Sequence, residues 1–163
     1  MTMASRSATV TVVGDREIHI LRQFDAPREL VYRAYTTPEL VRRWWHANRG
    51  EMTVCEIDLR VGGKWRYAME APGFGEVAFH GEYREIVPNE RLVSTEAYEG
   101  IPDADAHAAL DTLTLTETGG RTTLTIVVEH PTKEGRDMHI ASGMEDGLQD
   151  ALDLLEQVAS SEG

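Results

Sequence analysis

Acid–base or metal chemistry in this chain would draw on six histidines, His19, His46, His80, His107, His130 and His139, and on carboxylates set among apolar residues. No two of the histidines stand three or four residues apart, as two metal ligands on one helix face would. A metal site would therefore need residues meeting from distant parts of the chain, and neither a metal nor another cofactor is expected. His46 directly succeeds Trp44–Trp45 and is the histidine best placed to work at a pocket rim. Glu56 and Glu85 lie inside strand-like runs. Turned into an apolar pocket, either carboxylate would hold its proton more tightly and act as an acid or base. Turned outward, each becomes a partner for Arg60, Arg66 or Arg84. Cys55, the single cysteine, can form no internal disulfide and alternates with apolar neighbours as a buried small hydrophobe.

The run Gly73-Phe74-Gly75-Glu76-Val77-Ala78 fits G-x-G-x-x-A. The residues after Gly75 read as a strand, whereas a dinucleotide site needs a helix N-terminus there. The run is a hairpin turn. The chain carries no G-x-S-x-G, Walker A or H-E-x-x-H motif. No residue is assigned a catalytic role.

Aromatic residues give the stronger signal. All three tryptophans fall between Phe24 and Met69. The period of two from Lys64 to Met69 puts Trp65, Tyr67 and Met69 on one face and Lys64 and Arg66 on the wet one. Phe79 and Tyr83 repeat the pattern on the next strand. With Trp45, they form the lining expected of a pocket.

The elements that position these residues can be read from punctuation and period. Ile18, Ile20 and Phe24 alternate in a strand from Arg16 to Phe24. Asp25-Ala26-Pro27 starts one short helix, with Asp25 or the next residue as cap. Thr37-Pro38-Glu39 starts a second, which closes on Trp44–Trp45. Strands are expected over 51–58, 64–69, 76–87, 91–98, 111–117 and 122–130, the last two a hairpin around Gly119-Gly120. Asp58 and Arg60 brace the turn before Gly62-Gly63, and residues 99–109 read as a mobile loop. A long helix from about Thr132 or Asp137 to Ala159 carries the apolar stripe Ile140, Met144, Leu148, Leu152 and Leu155. Glu145, Asp146, Gln149, Asp150, Asp153 and Glu156 fall on its opposite side. Gly143 and Gly147 interrupt it, allowing close backbone approach or leaving room for a ligand.

With 163 residues, 41% of them apolar and 27% charged, the chain is a single globular domain over 15–160 behind a flexible segment, 1–14. No apolar run is long enough for a membrane helix, and the N-terminus lacks the apolar core of a signal peptide. A cytoplasmic location is expected. The net charge of −12 is concentrated late: residues 1–81 hold 11 basic and 10 acidic side chains, residues 82–163 hold 5 and 18. Such a surface repels phosphates and anionic headgroups, so neither nucleic acid nor a membrane is an expected partner. A homodimer is left open.

Several short motifs then carry a resemblance. Phe24-Asp25-Ala26-Pro27, Pro38-Glu39-Leu40, Arg43-Trp44-Trp45, Ile57-Asp58-Leu59-Arg60 with Gly62-Gly63, Gly81-Glu82-Tyr83-Arg84-Glu85-Ile86, Pro88-Asn89-Glu90-Arg91-Leu92 and Ser142-Gly143-Met144-Glu145-Asp146-Gly147 span about residues 16–159. Together they resemble the START-like (SRPBCC) superfamily, in the branch named for activators of the heat-shock-protein-90 ATPase. The resemblance implies an α+β helix-grip fold: a curved six- to seven-stranded antiparallel sheet around a long C-terminal helix, with two short helices after the first strand. It also implies a cavity between sheet and helix for a small apolar or amphipathic, lipid-like ligand. Trp45, Trp65, Tyr67, Phe79, Met144 and Leu148 are its expected contacts. Two alternatives stay open: a cyclase- or dehydratase-type enzyme using His46, Glu56 or Glu85, and a chaperone-activator-type interaction module.

Overall fold

A computed structural model describes residues 7–162. One antiparallel sheet of eight strands runs in the order β1-β2-β8-β7-β6-β5-β4-β3. The strands are β1 (Thr9–Val13), β2 (Glu17–Phe24), β3 (Glu51–Ile57), β4 (Lys64–Ala71), β5 (Gly75–Val87), β6 (Arg91–Tyr98), β7 (Ala109–Thr118) and β8 (Arg121–Glu129). Four helices complete the chain: α1 (Arg28–Thr36), α2 (Pro38–Val41), α3 (Lys133–Ala141) and α4 (Met144–Ser161). This is the α+β helix-grip arrangement, with one strand more than expected.

The extra strand is β1. Residues 1–6 of the stretch expected to be flexible lie outside the described residues, whereas Thr9–Val13 pair with Leu21–Glu17 of β2. The Gln149 side chain of α4 fixes its start. Gln149 Oε1 accepts from the Ala8 N–H at 2.9 Å, and its Nε2 donates to the Ala8 carbonyl at 2.7 Å.

The first short helix begins later, and the second ends sooner, than their punctuation suggested. Pro27 stands at the N-cap of α1 instead of inside it, and Asp25 does not cap. The Arg28 N–H is met by Glu117 Oε1 of β7 at 2.9 Å. Thr37 holds the N-cap of α2 without a side-chain bond. That helix stops at Val41, and the chain reaches Trp44–Trp45 through successive turns. Ala47 and Asn48 then adopt left-handed backbone, φ 53° and 61°.

The C-terminal helix is two helices. Gly143, at φ 82°, sits left-handed between α3 and α4 and ends the run that the apolar stripe seemed to continue. The Thr132 side chain caps α3, accepting from the Gly135 N–H at 3.0 Å. Arg136, almost fully buried, ties α3 to the β1–β2 turn by donating to the carbonyls of Val13, Gly14 and Glu17.

Arg22 fixes α4 across the sheet. It shares the core face of β2 with Ile18, Ile20 and Phe24 and is 1% exposed. Its guanidinium donates to Asp153 Oδ1 at 2.8 Å and Glu156 Oε1 at 3.3 Å, and lies 5.1 Å from the Phe24 ring centroid. Glu156, expected on the outer side of the helix, is therefore buried, and its second oxygen accepts from the Asp25 N–H at 2.8 Å. Around this bond Ala151, Leu152, Leu155, Val158 and Ala159 are all buried, whereas nothing between Met144 and Asp150 is. The helix packs most tightly from Ala151 onward, while its first turns are held by the Gln149–Ala8 bonds and the Arg49–Asp150 bridge.

The loop 99–108 is more ordered than expected. It holds a 3-10 turn at Ala104–His107 and is tied to the sheet by a chain of charged bonds. Arg66 donates twice to Glu99, at 2.9 Å each, and His80 bonds both Glu99 and Asp105. The Asp105 and Glu99 bonds raise the His80 pKa, while the Arg66 bond leads in lowering Glu99 to about 2.

This packing sets the cost of individual substitutions. Arg22→Met removes the guanidinium that neutralises buried Glu156 and lowers stability by about 3–5 kcal/mol in urea unfolding. Asp153→Asn, at an exposed carboxylate, costs about 1 kcal/mol or less. Gly143→Ala costs about 1 kcal/mol, because a side chain resists positive φ. Gly147→Ala, where a Cβ meets nothing within 4 Å and φ is not positive, gains up to about 1 kcal/mol of helix propensity. Because protonated His80 is the bonded form, its hold on the loop is complete below the ordinary histidine value of 6.5 and lost as pH rises through the raised one. Amide exchange in residues 99–108, corrected for intrinsic rate, should quicken over that window; an unchanged protection factor would contradict the latch.

Candidate functional site

Beneath the less buried half of α4 lies a cavity of about 330 Å³. Its walls come from β4, β5, β6, β7, β8, both C-terminal helices and the turn after α2. One wall is aromatic. Trp65 and Tyr67 stand two residues apart on β4, with ring centroids 4.7 Å apart. Trp45 meets Tyr67 edge-on at 5.5 Å and Phe79 at 5.8 Å. Such tilted and edge-to-face contacts hold each ring against its neighbours, so the wall is built before any ligand arrives. Gly81 makes the root of this wall possible: a Cβ there would collide with the Thr95 carbonyl and the Trp65 indole nitrogen.

The facing wall is aliphatic, from Leu113, Ile126 and Val128 of the sheet and Met144, Leu148 and Leu152 of α4. Gly147 lines it as well, and the absence of a side chain leaves open space. The structure thus brings Trp45, Trp65, Tyr67, Phe79, Met144 and Leu148 together around one space. Trp44 also reaches the wall but is held in the core, donating from Nε1 to the Ala34 carbonyl at 2.9 Å.

The acid–base candidates separate. His46 lines the cavity, with its Nδ1 accepting from the Asn48 N–H at 2.9 Å. Glu56 is exposed and paired in register with Arg66 on the outer face. Glu85 is exposed and bridged to Arg91 at 3.1 Å. Neither glutamate lines the cavity, so an enzyme reading loses two of its three expected groups. Cys55 is buried, donates to the Pro38 carbonyl at 3.5 Å, and has its thiol pushed up to about 11 by burial. It is no nucleophile.

A polar spot not expected from the sequence occupies the inner end. Ser94 and Glu96 of β6 and Asp111 of β7 all line the cavity. Ser94 pairs directly with Asp111, and Glu96 stands diagonally opposite on the same face. Burial and the neighbouring Glu96 push the Asp111 carboxyl well above the ordinary carboxylate range. His139 of α3 also reaches the cavity, 3.0 Å from Nδ1 to His130 Nε2. Burial keeps both imidazoles neutral, and His130 falls to about 4 with the help of His139. Tyr35 and Tyr83, raised by burial, complete the ring of uncharged groups. The missed signal is the alternation of Asp111 with Leu113 and Leu115, which puts a carboxylate on the apolar face. Among the described residues, no group of His, Cys, Asp and Glu is arranged to hold a metal ion.

The arrangement is a largely apolar pocket with one acidic spot. It can bury a small molecule and hydrogen-bond one end of it. No described helix is long and apolar enough to cross a membrane.

Comparisons with known proteins agree with this geometry. A Rhodobacter sphaeroides protein of known crystal structure is 26% identical, over 95% of this chain and 99% of its own, with a TM-score of 0.86. A Chromobacterium violaceum protein is 30% identical over 90% and 98%, with a TM-score of 0.76. One from Nitrosomonas europaea, 24% identical over 93% and 98%, shares the fold with a TM-score of 0.80. Among curated proteins, none matches the chain. The family model described as "Activator of Hsp90 ATPase homolog 1-like protein" matches residues 25–160. With that match over most of its length, the chain belongs to the Activator of Hsp90 ATPase homolog 1-like family.

Proposed function

We propose that this chain is a cytoplasmic, cofactor-free protein that binds a small apolar or amphipathic molecule between its sheet and α4. The observation that carries the reading is the cavity itself, an aromatic-walled space where a domain of this size would ordinarily pack side chains. Its volume stands at the lower end of small-molecule sites, about 300–1,000 Å³. Two features favour the open space: a glycine, Gly147, on the helical wall, and a stretch of α4, Met144–Asp150, that holds no fully buried residue. Trp45, Trp65, Tyr67, Phe79, Met144 and Leu148 supply the apolar contact.

Thermal-shift and native mass spectrometry screening against lipids and aromatic metabolites tests this. A ligand at a hundredfold its Kd adds about 2.7 kcal/mol to stability and raises Tm accordingly. Gly147→Trp fills the space from the helix side and removes that shift while the protein stays folded. A screen without a single stabilising or co-purifying ligand, with a filled core in the crystal, overturns the reading.

A further inference from the structure

We propose that the ligand is an amphipathic amine, its apolar or aromatic body against the Trp45–Trp65–Tyr67 wall and its protonated nitrogen on the Asp111–Glu96 pair. This rests on the ligand-binding reading above and adds the chemistry of the polar end. Asp111 Oδ1 is the one buried side-chain polar atom among the described residues that finds no hydrogen-bond partner. Leaving such an acceptor unmet costs about 1–3 kcal/mol, and in a cavity wall that cost is relieved by a donor from a bound molecule.

The charge around it selects the donor. Glu96 lies against Asp111 on the same face of the sheet, and its negative charge is felt at Asp111, Tyr35, Tyr67, His130 and His139. No lysine lines the cavity, and its single lining arginine, Arg49, is exposed and bonded to Asp150 at 2.8 Å. His46 lies beyond Trp45 on the same turn. Among the described residues that line the cavity, the acidic pair therefore has no lysine or arginine of its own. An alcohol would satisfy Oδ1 and leave the charge; a carboxylic acid would be repelled; an ammonium group does both jobs at once. The tryptophan and tyrosine faces beside it favour a cation for the same reason.

The test is a head-group series on one body: phenethylamine, phenethyl alcohol and 3-phenylpropanoate, with toluene as the headless probe, titrated by calorimetry at pH 7. The amine should bind about tenfold or more tightly than the alcohol, and the acid most weakly. In the double variant Glu96→Gln with Asp111→Asn, the amine's advantage should shrink to less than about threefold while the alcohol keeps its affinity. Should that variant not fold, the ranking on the native chain decides alone. Equal binding of all head groups, or binding of toluene and alcohol above the amine, overturns the amine anchor and leaves the cavity reading standing. If none of the four binds and the lipid and metabolite screen is also empty, the cavity reading falls, and the anchor with it.

Discussion

A guanidinium buried under a helix decides where this molecule is solid and where it is hollow. Arg22 occupies a core position on β2 that its neighbours Ile18, Ile20 and Phe24 fill with hydrocarbon. A charge there is tolerable only with partners, and α4 provides Asp153 and Glu156 one turn apart. The bond fixes the register of α4 against β2, and Leu152, Leu155 and Val158 close on the sheet around it. Glu156 extends the grip to the chain entering α1 through the Asp25 N–H. Helix, strand β2 and the root of the short helices become one unit.

Everything towards the other end of α4 is built differently. The helix starts at a left-handed glycine, after a separate helix anchored by Arg136 to the β1–β2 turn, where the strand that carries Arg22 begins. Between the two anchors lies the left-handed Gly143, and the first turns of α4 that follow it are only partly buried. The aromatic wall needs no help from the helix, because Trp65, Tyr67, Trp45 and Phe79 brace one another. The space between is mostly hydrocarbon, burial disfavours the charged forms of Asp111, His139, Tyr35 and Tyr83 at its wall, and the charge of Glu96 acts on Asp111, His139 and Tyr35.

Much of the architecture was legible in the sequence, where local chemistry and tertiary demand coincide. Pro38, the Gly62-Gly63 turn and the alternation of Trp65, Tyr67 and Met69 each act within a few residues, and each landed where the pattern put it. The misses share one cause: they depend on partners far along the chain. Ile140, Met144 and Leu148 keep helical spacing across a break, because a left-handed glycine can rejoin two helices nearly in phase. Thr9–Val13 is a weak strand alone and is held by β2 and Gln149. Glu156 reads as an outer-face residue until it meets Arg22, and Asp111 as the first residue of a strand until Glu96 lies beside it. Glu56 and Glu85 failed as cavity groups because alternation alone does not say which face of a two-faced strand is inside.

The most direct measurement of the hollow beneath α4 is diffraction from crystals pressurised with xenon, which settles in apolar cavities and in little else. Xenon is predicted between the Trp45–Tyr67 wall and Leu148, under the Met144–Asp150 half of α4, and none beneath Leu155 or Val158. A xenon-free interior with Leu148 packed against Tyr67 would contradict the cavity.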